Sequence, residues 1–406
     1  MSVFNNVNIG LFITGGIASY KMAELTRQFI KQGANVKVAM TKSAAEFITP
    51  LTFQVLTKHA VLVDVFDEHE AENVQHVHMA DWCDLVIVAP ATANILAKMA
   101  YGIADEIVST TLLATTAPRL IVPAMNVNMY ENPATQNSIK QLRQYGYTVM
   151  EPDTGFLAEG YSGKGRLPEL ERIVEEANLV YTKSHLPQTL QGKKVLVSAG
   201  GTVERIDPVR YISNDSSGQM GYAVAKAAEE LGADVTVIST RPNLPVSPHW
   251  DVHYVESARQ LQEQMASFYD EADYVVMAAA VSDYRVKNQQ TQKMKKEDQQ
   301  EGLTLELVEN PDILKGLGEK KTHQTLIGFA AETQDLLVNA KNKLERKKAD
   351  WLIANDVSRT DAGFNVSTNQ VTILGKDGSQ KALPLLSKED TARQIWQHIL
   401  TPLEEK

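Results

Sequence analysis

Residues 194–221 read KVLVSAGGTVERIDPVRYISNDSSGQMG. A short β-branched run, Val195 to Val197, enters a turn at Gly200-Gly201, and a polar loop follows. A helix is predicted to open at Ser216-Ser217-Gly218, because Met220, Ala223, Val224, Ala227, Ala228 and Leu231 recur at the spacing of one helical face. After Gly232 a second apolar strand covers 234–240. Strand, glycine turn, helix and strand make a βαβ unit. The N-terminus repeats the pattern: Ile9 to Ile13, then Gly15-Gly16, then a helix carrying Met22, Leu25, Phe29 and Ile30, then Val36 to Met40. Two such units predict two nucleotide-sized binding domains fused in one chain.

Working outward, further apolar runs end in chemically distinctive turns. Residues 84–89 lead into Pro90-Ala91-Thr92-Ala93-Asn94, and 120–124 lead into Met125-Asn126. In the second half, 273–280 leads into Val281-Ser282-Asp283, and strands are expected at 303–308, 327–331 and 351–354. Fully apolar strands separated by helices imply parallel sheets covered on both faces, so the expected fold is α/β: two Rossmann-like, doubly wound parallel-sheet domains. Ligands in such sheets gather beyond the C-terminal strand ends. Thr14 to Ile17, Thr41, Pro90 to Asn94 and Pro123 to Asn126 therefore belong on one rim. Residues 155–166, rich in glycine, suggest a flap rather than a core element. The stretch 183–192, KSHLPQTLQG, reads as a linker between domains 1–182 and 193–406. The polar run from Lys287 to Gly302 reads as a surface loop.

With 406 residues the chain suits two domains of roughly 200 residues each. A formal charge of −10 argues against a nucleic-acid partner. The one cysteine, Cys83, excludes an intramolecular disulfide and fits a reducing compartment. No basic, apolar leader and no run of transmembrane length are present, so a cytoplasmic protein without a membrane partner is expected. Neither G-x-G-x-x-G nor G-x-x-x-x-G-K-[ST] occurs, which disfavours a nicotinamide dehydrogenase and a P-loop ATPase. H-E-x-x-H and zinc-type cysteine pairs are also absent, and no residue is singled out as a metal ligand.

Single residues leave two readings each. Gly15-Gly16 with Ile17-Ala18 either cradles a phosphate on helix-terminal amides or is a tight turn. His76 and His78, as H-x-H on a strand, could chelate a metal; a lone base or a structural histidine fits better. Asn126 either offers its amide to a substrate carboxylate or is a turn residue. Lys293, Lys295 and Lys296 by composition are a solvated charge run, and the same holds for Lys343 and Lys347, which share a face of the helix expected at 336–348.

Taken in order, the strings are more specific than their parts. Gly15-Gly16-Ile17-Ala18-x-Tyr20-Lys21, His76 six residues before Trp82, Ala89 to Asn94, Pro123-Ala124-Met125-Asn126-x-x-Met129 and Gly163-x-Gly165-Arg166 stand in the first half. Asp207 to Asn214, Ser216-Ser217-Gly218-x-Met220-Gly221, Ala279-Ala280-Val281-x-Asp283-Tyr284, Lys293 to Lys296, Asn310-Pro311-Asp312-Ile313, Gly328 to Thr333 and Ala354-Asn355-Asp356 stand in the second. Over nearly its whole length the chain resembles the bifunctional coenzyme A biosynthesis family, whose halves are phosphopantothenoylcysteine decarboxylase and phosphopantothenate–cysteine ligase.

The resemblance implies that the first half binds FMN, at Gly15, Gly16, Ile17, Ala18, Thr41, Ala91, Thr92, Asn94 and Met125. It implies His76 as base or carboxylate-positioning residue, Asn126 as the amide holding the substrate carboxylate, and 155–166 as the closing flap. Oxidising the substrate's CH2–SH to a thioaldehyde provides the electron sink that loss of CO2 requires. Where most members carry a flap cysteine, this chain has Glu159, which is expected to donate the proton itself. The alternatives are a reaction that stops at the enethiol and a non-enzymatic flavin-binding regulatory subunit.

For the second half the resemblance implies that CTP, with Mg2+, activates 4′-phosphopantothenate as an acyl-cytidylate that L-cysteine then opens. Lys293, Lys343 and Lys347 are assigned to the triphosphate and Asn214 to the acyl-cytidylate, with Arg210 beside it as a partner for phosphate or intermediate. Ser216, Ser217, Gly218, Met220 and Gly221 supply helix-terminal amides. Met277, Ala278, Ala279, Asp283, Asn310, Pro311, Asp312, Ile313 and Phe329 line the nucleotide pocket. Relatives also imply a homo-oligomer with trimeric decarboxylase halves and dimeric ligase halves.

Overall fold

The computed structural model describes residues 3–66, 74–156, 158, 160–294, 303–332, 336–356, 366 and 368–401. The chain divides into two units, Met1–Leu186 and Pro187–Lys406. In the first, β1 (Asn8–Ile13), β2 (Asn35–Met40), β3 (Leu85–Ala91), β4 (Arg119–Pro123) and β5 (Thr148–Val149) pair in parallel, in the order β2-β1-β3-β4-β5. Alternate residues of β1 explain why the strand is apolar throughout. Leu11 and Ile13 join a core with Phe29 and Ile173, while Phe12 joins a second core on the other face with Ile95 and Leu112. The covering helices are α1 (Met22–Lys31), α2 (Lys42–Ala45), α3 (Pro50–Thr57), α4 (Gln75–Trp82), α5 (Ala93–Tyr101), α6 (Ile107–Ala114), α7 (Val127–Glu131), α8 (Pro133–Gln144) and α9 (Leu170–His185). The expected flap is an antiparallel hairpin of β6 (Asp153–Phe156) and β7 (Ser162–Arg166). Glu159 lies outside the described residues.

The second unit is built on an eight-stranded sheet. Its members in chain order are β8 (Lys194–Ala199), β11 (Asp234–Ser239), β12 (Asp251–Tyr254), β13 (Tyr274–Met277), β16 (Thr325–Glu332), β17 (Trp351–Asp356), β19 (Val371–Gly375) and β20 (Gln380–Ala382). They lie in the order β12-β11-β8-β13-β16-β17-β19-β20. Outside this sheet are the hairpins β9 (Val203–Arg205) with β10 (Tyr211–Ser213), β14 (Tyr284–Val286) with β15 (Leu307–Glu309), and β18 (Thr368–Asn369) with β21 (Leu386–Ser387). Helix α10 (Gln219–Glu230) packs with α14 (Lys388–Leu400) on one face. On the other lie α11 (Ala258–Tyr269), α12 (Ile313–Lys320) and α13 (Leu336–Lys347).

Several expectations need correction. The second sheet is parallel only as far as β17; β17–β19 and β19–β20 are antiparallel. A tight turn through Asp377 and Gly378, the latter at φ +85°, joins β19 to β20 and is too short for a parallel crossover. The strand expected at 303–308 is only β15, paired with β14 rather than with the main sheet. The expected linker is also too long: Lys183 to His185 complete α9, and Leu190 is buried in the second core, its amide donating to the Leu231 carbonyl at 3.0 Å. Lys295 and Lys296, with the rest of 295–302, lie outside the described residues.

Candidate active sites

In the first unit the rim is assembled by hydroxyl groups. Thr14, 1% exposed, follows β1, donates to the Pro90 carbonyl at 2.6 Å and accepts from the Thr92 amide at 3.1 Å. This ties the Gly15-Gly16 turn to the Ala91–Asn94 turn. Thr92 and Thr41 each cap the helix they precede, through the amides of Ile95 and Ala44. Ser43 closes against Gly15 so tightly that a Cβ there would sit 2.4 Å from the Ser43 Cβ. A short 3-10 turn, Ile17–Lys21, follows, leaving Ile17 and Tyr20 largely exposed. Gly15, Gly16, Ile17, Ala18, Thr41, Ala91, Thr92 and Asn94 thus belong to turns and helix starts at the strand ends.

Helix α4 corrects the strand expected around His76. His76 and His78 are two apart on a helix, where side chains at that spacing point away from each other, so they cannot form a chelating pair. Because α4 feeds β3, it runs back along the sheet and its start belongs to the C-terminal rim. Among the described residues the buried Nδ1 of His76 has no hydrogen-bond partner. Asn126 caps α7, accepting from the Asn128 amide at 2.9 Å, while its side-chain amide donates to the Tyr161 hydroxyl on the hairpin. The Met125 amide donates to the Gly165 carbonyl at 2.9 Å. Gly165 has φ +153°, and a Cβ there would lie 2.1 Å from the Met125 carbonyl oxygen, so a side chain would push the hairpin off the rim.

The hairpin is held from below by Glu151, which pairs with Lys164 and Arg143 at 2.6 Å each and accepts from Tyr130 at 2.8 Å. Burial pushes the Glu151 carboxyl up, but Lys164, Arg143 and Tyr130 more than offset this and bring it down to about 2. Cys83 is no substitute for a flap thiol. It is buried, donates to the Met79 carbonyl at 3.1 Å, and burial pushes its pKa up to about 12.

In the second unit a cavity of about 770 Å³ lies at the ends of β13, β16 and β17. It gathers Asn214, Ser216, Ser217, Gly218, Met220 and Gly221 with Met277, Ala278, Ala279 and Asp283. Asn310, Pro311, Asp312, Ile313, Phe329, Lys343 and Lys347 complete the expected set in the lining. The local sequence explains the close approach of α10: a Cβ on Gly221 would meet Ala199 Cβ at 2.7 Å, and one on Gly201 would meet the Asn214 carbonyl oxygen at 2.6 Å. Arg241 holds the preceding loop by donating to the Ser216 carbonyl at 2.8 Å. Lys347 pairs with Asp312; burial raises the Asp312 carboxyl, and Lys347 with the Lys315 amide outweighs it, so the group sits below the usual range.

Arg210 and Lys293 are not in that lining. Asp207, fully buried, accepts the Arg210 guanidinium and the amides of Val209 and Arg210, which holds its carboxyl far below the usual range. Sequence reasoning missed Lys388, Asn369 and Asn355 as lining residues. Asn355 stands inside the Ala354-Asn355-Asp356 string; Lys388 and Asn369 carry no local signal. Among the described residues, no three His, Cys, Asp or Glu side chains are grouped to hold a metal ion, and no helix is long and apolar enough to cross a membrane.

Residues 3–180 match the family model described as Flavoprotein, and residues 190–403 match the DNA/pantothenate metabolism flavoprotein C-terminal domain. The chain is 49% identical to the coenzyme A biosynthesis bifunctional protein CoaBC of Bacillus subtilis (strain 168), over 98% of this chain and 97% of that one. It is 42% identical to the protein of the same name from Vibrio vulnificus (strain YJ016), over 99% of both. A solved C-terminal domain of a protein of that name is 41% identical and is covered completely by 54% of this chain, with a TM-score of 0.46.

Proposed function

Because the chain belongs to the family of coenzyme A biosynthesis bifunctional proteins, combining a decarboxylase with a phosphopantothenate–cysteine ligase, we propose how its two units divide the work. Residues 193–406 carry out the ligation and residues 1–182 the decarboxylation. One observation carries this reading: eight separated segments of the second unit converge on a single cavity large enough for a nucleotide with a second substrate.

In the ligation, a carboxylate oxygen of 4′-phosphopantothenate attacks the α-phosphorus of CTP, and pyrophosphate leaves. The cysteine amine then attacks the acyl carbon, the C–N bond forms and CMP departs. Lys343, Lys347 and Lys293 balance triphosphate charge, which Mg2+ would help to neutralise. Asn214, whose carbonyl crosses Gly201 at the cavity wall, holds the acyl-cytidylate. Arg210 acts through its tie to the segment carrying Lys293, rather than from the cavity lining.

For the decarboxylation, the narrow Gly15 turn, the exposed Ile17 and the orphaned His76 nitrogen fit a flat, phosphorylated cofactor at the rim. Gly15 to Ala18, Thr41, Ala91, Thr92, Asn94 and Met125 would hold FMN there. When bound, FMN supplies a reversible hydride sink. Asn126 holds the substrate carboxylate, His76 positions it or takes the thiol proton, and the hairpin excludes water. Glu159 returns the final proton in place of a flap cysteine. The protein works in the cytoplasm as a homo-oligomer, with trimeric decarboxylase and dimeric ligase contacts.

The test is pyrophosphate release with each nucleoside triphosphate in turn. Release from CTP that requires both phosphopantothenate and cysteine is expected; release independent of either acceptor would count against the ligase assignment.

A further inference from the structure

The cavity of the second unit takes its lysines from opposite faces of the sheet. Lys343 and Lys347 belong to α13 on the face shared with α11 and α12, whereas Lys388 begins α14, which packs with α10 on the other. Lys388 is 7% exposed. Its ammonium meets Gln219 Oε1 at 3.3 Å, and among the described residues no carboxylate pairs with it. The acids next to it in sequence are occupied: Glu389 with Lys226 at 3.1 Å, and Asp390 with the Ser387 hydroxyl at 2.7 Å and Arg393 at 3.4 Å.

A lysine in the first helical turn also opposes the helix dipole. Burial accordingly draws the Lys388 pKa down. A buried, uncompensated ammonium is strongly unfavourable, and among the described residues none supplies it with a counter-charge. Beside it, Gly218, at φ +82°, precedes α10, and among the described residues that end of the helix has no side-chain cap for the first amides. Ser282 Oγ, on a residue 5% exposed, and Asn355 Oδ1 are buried in the same lining and have no hydrogen-bond partner among the described residues.

We propose that Lys388 and the first turn of α10 form a phosphoryl-binding subsite, separate from the Lys343–Lys347 pole, that receives the phosphate end of one of the two anionic substrates. The inference rests on the ligase reading above. Two polyanions must meet at one α-phosphorus, and cations drawn from opposite faces of the sheet hold their charged ends apart while the reacting atoms approach. The ligand balances the charge of Lys388 and takes up the uncapped amides. Its phosphoryl group belongs either to the nucleoside triphosphate or to the phosphate ester of the acid substrate.

Calorimetry on the full chain, with CTP and with phosphopantothenate separately, tests this. Lys388→Gln is expected to raise Kd for one of the two by about tenfold or more while the other stays within about twofold. Lys388→Arg, which keeps the charge, should recover most of the loss. A rise for CTP identifies the triphosphate as occupant. A rise for phosphopantothenate, with lost preference for it over unphosphorylated pantothenate, identifies the phosphate ester. Lys388→Met replaces the glutamine variant if thermal melts show the latter unfolded. Unchanged Kd values for both ligands overturn the subsite and leave the ligase reading standing. A wild-type chain that binds neither ligand overturns both.

Discussion

Arg210 donates to Asp207 Oδ2 from Nε at 2.9 Å and from Nη2 at 2.5 Å, and Nη2 also donates to the Met294 carbonyl at 3.1 Å. The Met294 amide in turn donates to the same Asp207 oxygen at 3.3 Å. The buried carboxylate and the guanidinium therefore pin the segment that carries Lys293. Arg210→Ala should lower the kcat/KM of ligation by roughly 10- to 100-fold. Lys at this position should restore little of it, because the forked contact is lost. Decarboxylation of supplied phosphopantothenoylcysteine should be unchanged, and steady-state kinetics of both half-reactions checks the separation.

His76 belongs to the first unit alone. His76→Asn is expected to reduce CO2 release by at least about a hundredfold, the usual scale for a lost acid–base group, with ligation at its normal rate. Parallel loss of pyrophosphate release would show that the histidine has a structural role beyond its own rim.

Acid should loosen the hairpin that carries the flap. The folded pKa of Glu151, about 2, lies below its unfolded value near 4.5. Its contribution is therefore complete above the unfolded value and is lost as pH falls through the folded one. Wild type should melt higher than Glu151→Gln at pH 6, with the gap narrowing between about pH 4.5 and 2. A gap that widened on acidification would reverse the sign and refute the pairing.

Stability of the second unit depends on Arg393, which holds the buried Glu230 through Nε at 2.8 Å and Nη2 at 2.9 Å. Removing the guanidinium leaves a carboxylate in the interface of α10 and α14. Arg393→Ala should cost about 3–5 kcal/mol, and replacing Glu230 by Gln at the same time should recover part of it. Chemical denaturation of the single and double variants measures both.

The parts of the fold legible in the sequence were those with a local cause. Apolar strands such as 85–89 and glycine turns such as Gly200-Gly201 announce parallel strands and their ligand-facing ends, because each pattern arises from burial or backbone geometry within a few residues. The register of β19 and β20 was missed although Asp377-Gly378 signals a hairpin, since their attachment to β17 is a long-range pairing. His76 was misplaced on a strand because alternating polarity over three residues does not separate the two periods. Lys388 was invisible for a different reason. Its significance comes from burial with no counter-charge among the described residues, a property of the tertiary structure alone, and in sequence it is one lysine beside two acids.

Product analysis by mass spectrometry tests the central claim most directly: one chain joins phosphopantothenate to cysteine in its second unit and removes the carboxylate in its first. The purified chain, given FMN, CTP, Mg2+, phosphopantothenate and L-cysteine labelled at its carboxyl carbon, should release the label as CO2 and accumulate 4′-phosphopantetheine. Release of pyrophosphate with the label retained in phosphopantothenoylcysteine, or no condensation product at all, would contradict it.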